Sequence, residues 1–336
     1  MAVVTKLLFD GPMKLLVLGG SEFVGRALVE EGLARGWEVT TFNRGTHPPV
    51  EGVEALTGDR REGLDRLDPR EWDVVADTWS WQPSVVRDSA RFIHTDRYVY
   101  VSSRSVYTWP RPPGSTESSP TVDASPDEEV FDDYARAKRG AELAVLDAFG
   151  DRAVLARAGL ILGPGENIGR LPYWLNRVAR GGEILAPGPA DQTFQYVDAR
   201  DLAAFALSAQ PGEYNIVSEP NRTTLGGLLE LARVATGGDG VIHWADPDAL
   251  LAAAVEPWMD LPIWLPAGED HETMHEADVS KAVAAGLSIR PLQETVTDTW
   301  AWLQSIGGVA PQRPDRPPLG LSPERERELI TAIIPI

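Results

Sequence analysis

The side chains with the clearest chemical potential are a tyrosine and a lysine that stand four residues apart. Tyr134 and Lys138 lie in a stretch typical of a helix, so both side chains should share one helix face, one turn apart. A phenol exchanges protons poorly at neutral pH, and a neighbouring ammonium eases the exchange because it stabilises the phenolate. The pair therefore predicts general acid/base chemistry, with Tyr134 carrying the proton and Lys138 stabilising its charged form.

A glycine-containing loop near the start of the chain has the spacing of a dinucleotide-binding turn. Residues 19–25 follow a short apolar strand and precede a helix, which is the context that such a loop requires. Gly19 permits a tight turn, Gly25 lets the helix pack closely, and the helix N-terminus offers N–H groups to a pyrophosphate. Because Glu22 replaces the usual middle glycine, a plain strand–turn–helix corner is the alternative. The expected cofactor contacts are Gly19, Ser21, Glu22, Phe23, Val24 and Gly25.

The end of the second predicted strand bears on the choice of cofactor. An acidic residue there would bind the adenosine ribose of NAD, whereas an arginine would pair with the extra phosphate of NADP. The chain has Asn43 and Arg44 at this point, so we expect both to contact the cofactor and Arg44 to favour NADP. Glu22 would repel that phosphate, which keeps NAD as the alternative. Arg44 as a solvated turn residue is the interpretation without a cofactor.

Strands and helices alternate along the chain, and the sheet that they form must position these residues. The pattern predicts an α/β fold of the Rossmann type, a doubly wound parallel sheet with a smaller, mainly C-terminal substrate lobe. Ser322 and Pro323 are expected to open a last helix, as its N-cap and first residue. The expected strands are 15–18, 38–42, 53–57, 72–76, 98–101, 153–157, 195–197 and 214–217. The expected helices are 24–35, 83–92, 133–149, 198–209, 225–235, 279–285 and 292–305.

The predicted elements also suggest how the chain is divided. Residues 1–12 are expected either as an extension or as a segment packed at the edge of the first strand. Trp174, Trp258 and Trp264 are either walls of a substrate pocket or core residues. The expected division is a dinucleotide-binding domain at 13–165 with 192–217 returning to it, a substrate lobe at 166–191 and 218–310, and a Pro-rich tether with a C-terminal helix at 311–336.

The composition limits the classes of function that are open to this chain. The 31 basic and 50 acidic residues leave a net charge of −19, so no nucleic-acid partner is expected, because phosphate binding depends on clustered Lys and Arg. The lack of cysteine excludes disulfides, thiol nucleophiles and thiolate metal sites. The apolar stretches are too short for a membrane span, and the N-terminus does not resemble a secretory signal. We therefore expect a cytoplasmic protein without a membrane partner that acts on a small-molecule substrate.

One short motif matches a zinc site in its spacing. His271 and His275 enclose Glu272 in the pattern of a metalloprotease helix, in which two histidines hold zinc and the glutamate acts as base. The segment follows residues 266–268, which contain proline and glycine, and it lacks an apolar helical stripe. The next helix is expected only near Asp278. We therefore expect neither a helix nor a metal site at this motif.

Several motifs, taken in their order and spacing, resemble those of one known superfamily. They are residues 19–25, 58–60, 101–107, Tyr134 with Lys138, 157–164 and 196–202. This set is similar to that of the extended short-chain dehydrogenase/reductase superfamily, the NAD-dependent epimerase/dehydratase family, and covers about residues 13–305 of the chain. The glycine loop together with residues 42–45 looks most like an atypical branch that includes the chloroplast stem-loop-binding proteins. That branch usually carries arginine at the position of Glu22.

The resemblance implies roles for residues that the patterns alone do not single out. Ser103 would bind the reacting oxygen of the substrate, Tyr134 would be the general acid/base, and Lys138 would also hold the nicotinamide ribose. A homodimer formed through helices 83–92 and 133–149 is implied as well. The further implied cofactor contacts are Asp59 and Arg60 at the adenine, Thr78 and Trp79 over the ribose, and Gly159, Leu160 and Ile161 facing the nicotinamide.

One departure from the family pattern bears on the substrate. Nucleotide-sugar epimerases and dehydratases carry an arginine that grips the diphosphate, and Gln192 stands at the corresponding position. A neutral amide cannot make that charge-assisted contact. The sequence therefore predicts an NAD(P)-dependent oxidoreductase, a reductase of a C=O or C=N bond in a small metabolite without a nucleotide. The alternatives are a nucleotide-sugar epimerase or dehydratase with tightly bound NAD and, more remotely, a nucleic-acid-binding relative.

Overall fold

A computed structural model describes residues 11–68, 70–130, 133–313 and 316–334. Residues 1–10 of the expected N-terminal extension and residues 314 and 315 of the expected tether therefore lie outside the described residues. None of the described helices is long and apolar enough to cross a membrane.

Regular elements follow one another along the chain with few long gaps. Polar side chains cap several helices at their first N–H groups, among them Asp133, Thr224, Asp246 and Ser322. The strands are β1 Lys14–Leu18, β2 Glu38–Asn43, β3 Glu54–Thr57, β4 Glu71–Asp77, β5 His94–Ser103, β6 Ala153–Ala158, β7 Ile161–Leu162, β8 Glu183–Pro187, β9 Thr193–Phe194, β10 Val197–Asp198, β11 Gly212–Ile216, β12 Thr223–Thr224 and β13 Val241–Ala245. The α-helices are α1 Phe23–Ala34, α2 Pro83–Phe92, α3 Tyr134–Phe149, α4 Arg170–Ala179, α5 Ala199–Ser208, α6 Leu225–Thr236, α7 Pro247–Ala252, α8 Glu269–His275, α9 Ser280–Ala284, α10 Leu292–Ser305 and α11 Pro323–Ile333.

A seven-stranded sheet in the order β11-β6-β5-β4-β1-β2-β3 organises the fold. The neighbours from β6 to β3 pair in parallel, and β1 lies between β2 and β4. The strand order therefore reverses between β1 and β4, and sheets of this kind bind ligands at that point, outside the carboxyl ends of the strands. Gly19, Thr78 and Ser103 lie at these ends. The chain is an α/β protein of the Rossmann type, as the sequence predicts.

Apolar side chains bury both faces of the central strands. Leu15, Leu16 and Val17 of β1 are fully buried, and every residue of β6 is buried as well. Such continuous buried runs, apolar apart from Arg157 of β6, are typical of parallel strands that helices cover on both faces. α1 packs directly on β1 because Gly32 leaves room, and a Cβ at this position would lie 2.7 Å from the Leu15 side chain. The sheet is thus a rigid platform for the residues at its carboxyl edge.

The chain divides into two compact units. Among the described residues, unit 1 comprises those within 11–108, 120–158 and 202–214, and unit 2 comprises those within 109–119, 159–201 and 215–334. Unit 1 carries β1–β6 and α1–α3. Unit 2 carries the strand pairs β7–β10, β8–β13 and β9–β12, beside which α4, α6 and α10 pack together. The functional domain bounds expected from the sequence stay a prediction.

The elements of unit 1 agree with the sequence pattern, whereas unit 2 departs from it at residues 195–197. The single strand expected there is wrong, because β9 and β10 are separate strands with different partners. Gln195 lies between them, and its side-chain amide bonds the main chain of Ser218 and Ala277. These bonds turn the chain from one strand pair to the other. The sequence pattern also gave no sign of α4, α7, β8 and β13.

A second correction concerns the segment with the zinc-like motif. The prediction that residues 271–275 lie outside a helix is wrong, because they belong to α8. Glu269, Asp270 and Glu272 occupy the first turn of α8, where the helix dipole favours acidic side chains. The seven residues of α8 are too few for an apolar stripe to stand out in the sequence.

The tryptophans considered for a pocket divide between core and surface. Trp174 and Trp264 are 0% and 2% exposed, and the Trp174 indole N–H donates to the Pro262 carbonyl at 2.8 Å. These two residues belong to the core of unit 2. Trp258 is half-buried, and the guanidinium of Arg170 lies 5.1 Å from its ring centroid.

A buried carboxyl at the start of α4 should make the stability of the chain depend on pH. Burial raises the pKa of Glu166 to about 7, although N–H groups of Arg170 and Leu171 bond its oxygens. The folded chain then holds this proton more tightly than the unfolded chain does, so the stability from this group is present at low pH. This contribution to stability falls as the pH rises from the ordinary pKa of a glutamate toward 7.

Glu166→Gln should remove that dependence. Between about pH 5 and about pH 8, we expect the free energy of unfolding of the wild type to fall relative to that of the variant, by roughly 3 kcal/mol at most. Urea denaturation of both proteins at the two pH values measures the difference. Parallel pH curves for the two proteins would contradict the assignment.

Candidate active site

The buried ammonium group of Lys138 lies at the centre of the candidate site in unit 1. Lys138 is 2% exposed, and its Nζ donates hydrogen bonds of 2.7 Å to the carbonyl oxygens of Trp79 and Val101. Nζ also lies 4.7 Å from the centroid of the Tyr100 ring. A buried cation needs such partners, because the protein must replace the water that it loses. Lys138 is therefore held at a defined point beside the ends of β4 and β5.

Tyr134 stands one helical turn before this lysine. It is the first residue of α3, and the N-cap Asp133 accepts a 2.8 Å hydrogen bond from the Arg136 N–H. Burial raises the pKa of Tyr100 well above its usual value, and the neighbouring Tyr134 acts in the same direction. The Tyr100 phenol thus stays protonated, whereas the half-buried Tyr134 remains within reach of solvent and ligand. The predicted placement of Tyr134 and Lys138 on one face of a helix is confirmed.

Ser103 ends β5 on the same edge of the sheet. Its hydroxyl caps the 3-10 helix Arg104–Val106 by accepting a 3.1 Å hydrogen bond from the Ser105 N–H, and it lies 3.1 Å from the Ser105 hydroxyl. The 3-10 helix packs against α3. Val101, two residues before Ser103, supplies a carbonyl to Lys138. The end of β5 therefore brings the serine hydroxyl into the neighbourhood of the lysine.

The glycine loop between β1 and α1 has no room for side chains at two positions. At Gly19, whose φ is +117°, a Cβ would lie 2.6 Å from the Thr78 hydroxyl. At Gly25 a Cβ would lie 2.7 Å from the main-chain nitrogen of Gly20. The loop is thus a tight corner that presents backbone rather than side chains, the property a pyrophosphate cradle needs.

The N-terminus of α1 faces this corner without a protein cap. Glu22 is the N-cap residue, but its carboxylate makes no capping hydrogen bond, and no acidic residue lies in the first turn. Phe23 adopts a φ of +37°, a conformation that costs a non-glycine residue energy and often marks functional turns. Phe23 and Val24 are buried, Ser21 is half-buried and Glu22 is exposed. An anion would therefore meet main-chain N–H groups and the positive end of the helix dipole.

Asn43 ties the end of β2 to the same corner. Its Nδ2 donates to the Gly19 carbonyl at 3.1 Å, and its Oδ1 accepts from the Gly45 N–H at 2.8 Å. Arg44 is exposed beside it. Glu22 is exposed as well, with its carboxylate 3.5 Å from His47 Nε2. Charges of both signs are thus exposed beside the corner, and the expected contacts of Asn43, Arg44 and Glu22 to a cofactor stay a prediction.

Asp59 and Arg60 follow β3 but differ in what they can contact. Asp59 is exposed, and its carboxylate accepts a 2.9 Å hydrogen bond from the Arg61 N–H. The Arg60 side chain is buried and forms a two-pronged ion pair of 2.6 and 2.7 Å with Asp77, besides its bonds to Ser89. Its guanidinium is thus committed inside the unit, which leaves the main-chain amide for the expected adenine contact. That contact stays a prediction.

Asp77, which sequence reasoning missed, ends β4 and is completely buried. Burial alone would raise the pKa of Asp77, but the charge and hydrogen bonds of Arg60 outweigh it and hold the pKa below its usual range. Tyr98 donates to the same carboxylate at 2.7 Å, and the Trp79 N–H donates to it at 2.8 Å. A charged residue directly after the apolar run 74–76 was the available sequence signal.

A second buried ion pair, also missed, lies behind Ser103. Arg157 and Glu142 are 2% and 0% exposed and share two hydrogen bonds, of 2.8 and 2.9 Å. Ser102 donates to Glu142 at 2.7 Å, and Arg157 donates to the Tyr107 hydroxyl at 3.1 Å. Burial would lower the pKa of Arg157, but Glu142 outweighs it and keeps the guanidinium charged. The pair joins α3, β5 and β6 below the serine.

The residues expected to face a nicotinamide belong to unit 2. Gly159 N–H donates to the Ile216 carbonyl at 3.1 Å, and the Leu160 carbonyl accepts from the Val197 N–H at 2.8 Å. Ile161 begins β7. Their role toward a cofactor stays a prediction.

Two other predicted features of unit 2 can be placed. Gln192 donates from Nε2 to the Leu265 carbonyl at 2.8 Å, so its amide is used within the unit. His271 Nε2 lies 2.8 Å from the Thr193 carbonyl, and His275 Nδ1 accepts from the main chain of Gln195 at 3.2 Å. Among the described residues, no group of three or more His, Cys, Asp or Glu side chains is placed to hold a metal ion.

A cavity of about 910 Å³ lies in unit 1 but at the amino ends of the strands, against Lys14, Trp72 and His94. The chemistry-bearing residues lie at the opposite, carboxyl ends. The cavity is therefore not part of this site.

Comparison with known proteins places these features in a family. The NAD dependent epimerase/dehydratase family matches residues 83–216, which include Ser103, Tyr134 and Lys138. The epimerase family protein SDR39U1 of Bos taurus is 30% identical over 239 residues, which are 63% of this chain and 76% of the relative. A 2-alkyl-3-oxoalkanoate reductase of Stenotrophomonas maltophilia is 29% identical over 220 residues, 57% of this chain and 64% of the relative.

A solved structure shares the fold at lower identity. The UDP-glucose 4-epimerase of Thermus thermophilus, in complex with NAD, superposes with a TM-score of 0.61 and 22% sequence identity. The superposition covers 88% of this chain and 100% of that enzyme. The glycine corner, the tyrosine–lysine helix and the bovine relative together lead to one conclusion: the chain belongs to the NAD-dependent epimerase/dehydratase family.

Proposed function

We propose that this protein is an NAD(P)-dependent reductase that acts on a C=O or C=N bond of a small metabolite without a nucleotide. The observation that carries the proposal is the buried Lys138 ammonium, one helical turn from Tyr134 and aimed by the Trp79 and Val101 carbonyls. Such a cation beside a phenol has a clear use in proton transfer, because it stabilises the phenolate that forms when the proton leaves.

The residues of unit 1 fit a dinucleotide. A Cβ would fill the corner at Gly19 and Gly25, and the α1 N-terminus beside it has no side-chain cap. In this proposal the pyrophosphate binds there, Asn43 and Arg44 meet the adenosine ribose, and Lys138 holds the nicotinamide ribose. Bound at this place, the reduced nicotinamide supplies a hydride to the substrate carbon.

The remaining chemistry falls to side chains of this chain. Ser103 donates a hydrogen bond to the reacting oxygen or nitrogen and holds it near Tyr134. Tyr134 gives its proton to that atom as negative charge develops there, and Lys138 stabilises the phenolate that remains. Since Ser103 and Lys138 are joined through β5, their spacing does not depend on the substrate.

Gln192 supports a substrate without a nucleotide. Its amide cannot make the charge-assisted contact that an arginine makes to a diphosphate, and it bonds the Leu265 carbonyl instead. The similarity to a protein named 2-alkyl-3-oxoalkanoate reductase supports a carbonyl compound rather than a nucleotide sugar. A nucleotide-sugar epimerase or dehydratase with retained NAD is the second candidate, favoured by the family to which the chain belongs.

Tyr134→Phe should lower turnover by about a hundredfold or more, because the general acid is lost, while cofactor affinity stays close to that of the wild type. The measurement is NADPH and NADH oxidation with a panel of small carbonyl and imine compounds, together with cofactor titration by fluorescence. Tyr214→Phe is the control, since that hydroxyl donates to the Gln210 carbonyl within unit 1. A Tyr134→Phe protein with wild-type turnover would show that the proton comes from another group.

NADPH should raise the melting temperature more than NADH at equal concentration, because Arg44 can pair with the extra phosphate. Arg44→Ala should abolish the difference, and Glu22→Gln should enlarge it by removing a repelling carboxylate. Thermal-shift curves of the three proteins with each cofactor test this. Equal rises in melting temperature with both cofactors in the wild type would show that Arg44 is a solvated turn residue that does not contact the extra phosphate.

The cofactor released by denaturing the purified protein separates the two candidate functions. A reductase must exchange its cofactor in every turnover, so we expect substoichiometric NAD or NADP in the supernatant. An epimerase or dehydratase regenerates its NAD within one turnover and can retain it. One equivalent of released NAD would therefore favour the second candidate.

A further inference from the structure

We propose that Asp77 is a positioning residue, which fixes the Lys138 ammonium by holding the main chain of Trp79. The residue lies outside the set of side chains that meet substrate or cofactor in the proposed function. Its influence runs through two hydrogen bonds on the main chain of one residue. The inference rests on the proposed function only in its last step, in which Lys138 acts at the cofactor.

The connection is short and continuous. Asp77 Oδ1 accepts a 2.8 Å hydrogen bond from the Trp79 N–H, and the Trp79 carbonyl accepts 2.7 Å from Lys138 Nζ. The Tyr100 hydroxyl donates to the same carbonyl at 2.9 Å. The Trp79 carbonyl therefore accepts from two donors, and its direction, together with that of the Val101 carbonyl, sets the position of the ammonium.

The Asp77 carboxylate can serve as a fixed anchor because it is itself held from several sides. Arg60 grips both of its oxygens, and Tyr98 donates to Oδ2 at 2.7 Å. Ser89 holds the guanidinium in turn, at 2.8 and 3.2 Å. The anchor thus joins β4, β5 and α2, and a rotation of the carboxylate would break several charge-assisted bonds together.

The side chain of Trp79 is confined as well. Its indole N–H donates to the Gln82 carbonyl at 3.0 Å, and the guanidinium carbons of Arg60 and Arg61 lie 5.2 and 5.8 Å from its ring. The ring, the N–H and the carbonyl of Trp79 are thus each held by a hydrogen bond, which confines the main chain at this residue. Buried ion pairs add little net stability, but they can specify one geometry. In this proposal the pair of Asp77 and Arg60 specifies the geometry of the main chain at Trp79.

The test is an NMR measurement of the Lys138 side chain. The chain has only four lysines, Lys6, Lys14, Lys138 and Lys281, so spectra of protein labelled at lysine 13Cε and 15Nζ are simple. The signal that disappears in Lys138→Arg identifies Lys138. We expect Asp77→Asn, which keeps the shape of the side chain but loses its charge, to move this signal away from its wild-type position.

A matched control comes from unit 2. Glu326 is also buried and pairs with Arg177, but its partners lie in another part of the chain. Glu326→Gln removes a buried ion pair of the same kind and should leave the Lys138 signal unchanged. A general loss of stability would affect both variants, whereas displacement of the lysine is expected from Asp77→Asn alone.

The position of the Lys138 signal decides whether Asp77 has this positioning role, independently of the proposed function. A folded Asp77→Asn protein with the wild-type Lys138 signal overturns the positioning role. If that variant does not fold, Asp77→Glu takes its place, because it keeps the charge that pairs with Arg60 and moves the carboxylate by one methylene group relative to the Trp79 N–H. An unmoved Lys138 signal in folded Asp77→Glu then overturns the role in the same way.

The last step is tested by titration with NADPH. We expect its Kd to rise about tenfold in Asp77→Asn and to stay unchanged in Glu326→Gln, because one charge-assisted contact to the ribose is weakened. A displaced lysine with unchanged NADPH affinity would support the positioning role and contradict the cofactor role assigned to Lys138.

Discussion

A positive charge removed from water must be surrounded by hydrogen-bond acceptors. The buried ammonium of Lys138 therefore requires unit 1 to supply such acceptors around it. Its two carbonyl partners come from the loop after β4 and from β5, while the lysine itself comes from α3. Three elements must therefore converge within hydrogen-bond distance of one atom. The parallel register that pairs Asp77 with Tyr100 makes this possible, because it sets Trp79 and the Tyr100 hydroxyl side by side.

The position of the site at the carboxyl edge follows from the same sheet. The strand order reverses between β1 and β4, so the loops after these strands open away from each other and leave their backbone exposed to a ligand. Gly19 and Thr78 approach so closely there that no side chain fits at the glycine. Ser103 arrives at this edge on β5. The residues of the candidate site thus lie at strand ends directly above a buried core.

Two buried ion pairs lie directly below this edge. Arg60 with Asp77 joins the loop after β3 to β4, and Arg157 with Glu142 joins β6 to α3. Charges in a core are costly, and their geometry is strict because only a few arrangements satisfy every hydrogen bond. Their placement beneath the proposed catalytic residues suits a site in which small displacements would be harmful.

The sequence by itself determined the features that depend on neighbouring residues. The strand–turn–helix corner at residues 19–25, the alternation of strands and helices, and the one-turn spacing of Tyr134 and Lys138 are set by local geometry. The motifs also indicated the family. In unit 2 the same local reasoning failed at residues 195–197 and at α8, where partners distant in the chain or a short helix removed the periodic signal.

Only the tertiary structure decided which groups surround the lysine. Its carbonyl partners lie 59 and 37 residues away along the chain, and Asp77 meets Arg60 across 17 residues. These partnerships follow from strand order and register, which arise when the whole sheet assembles and leave no periodic trace in the sequence. The sequence thus specified that a tyrosine and a lysine stand together, and the folded sheet decided where the charge of that lysine is held.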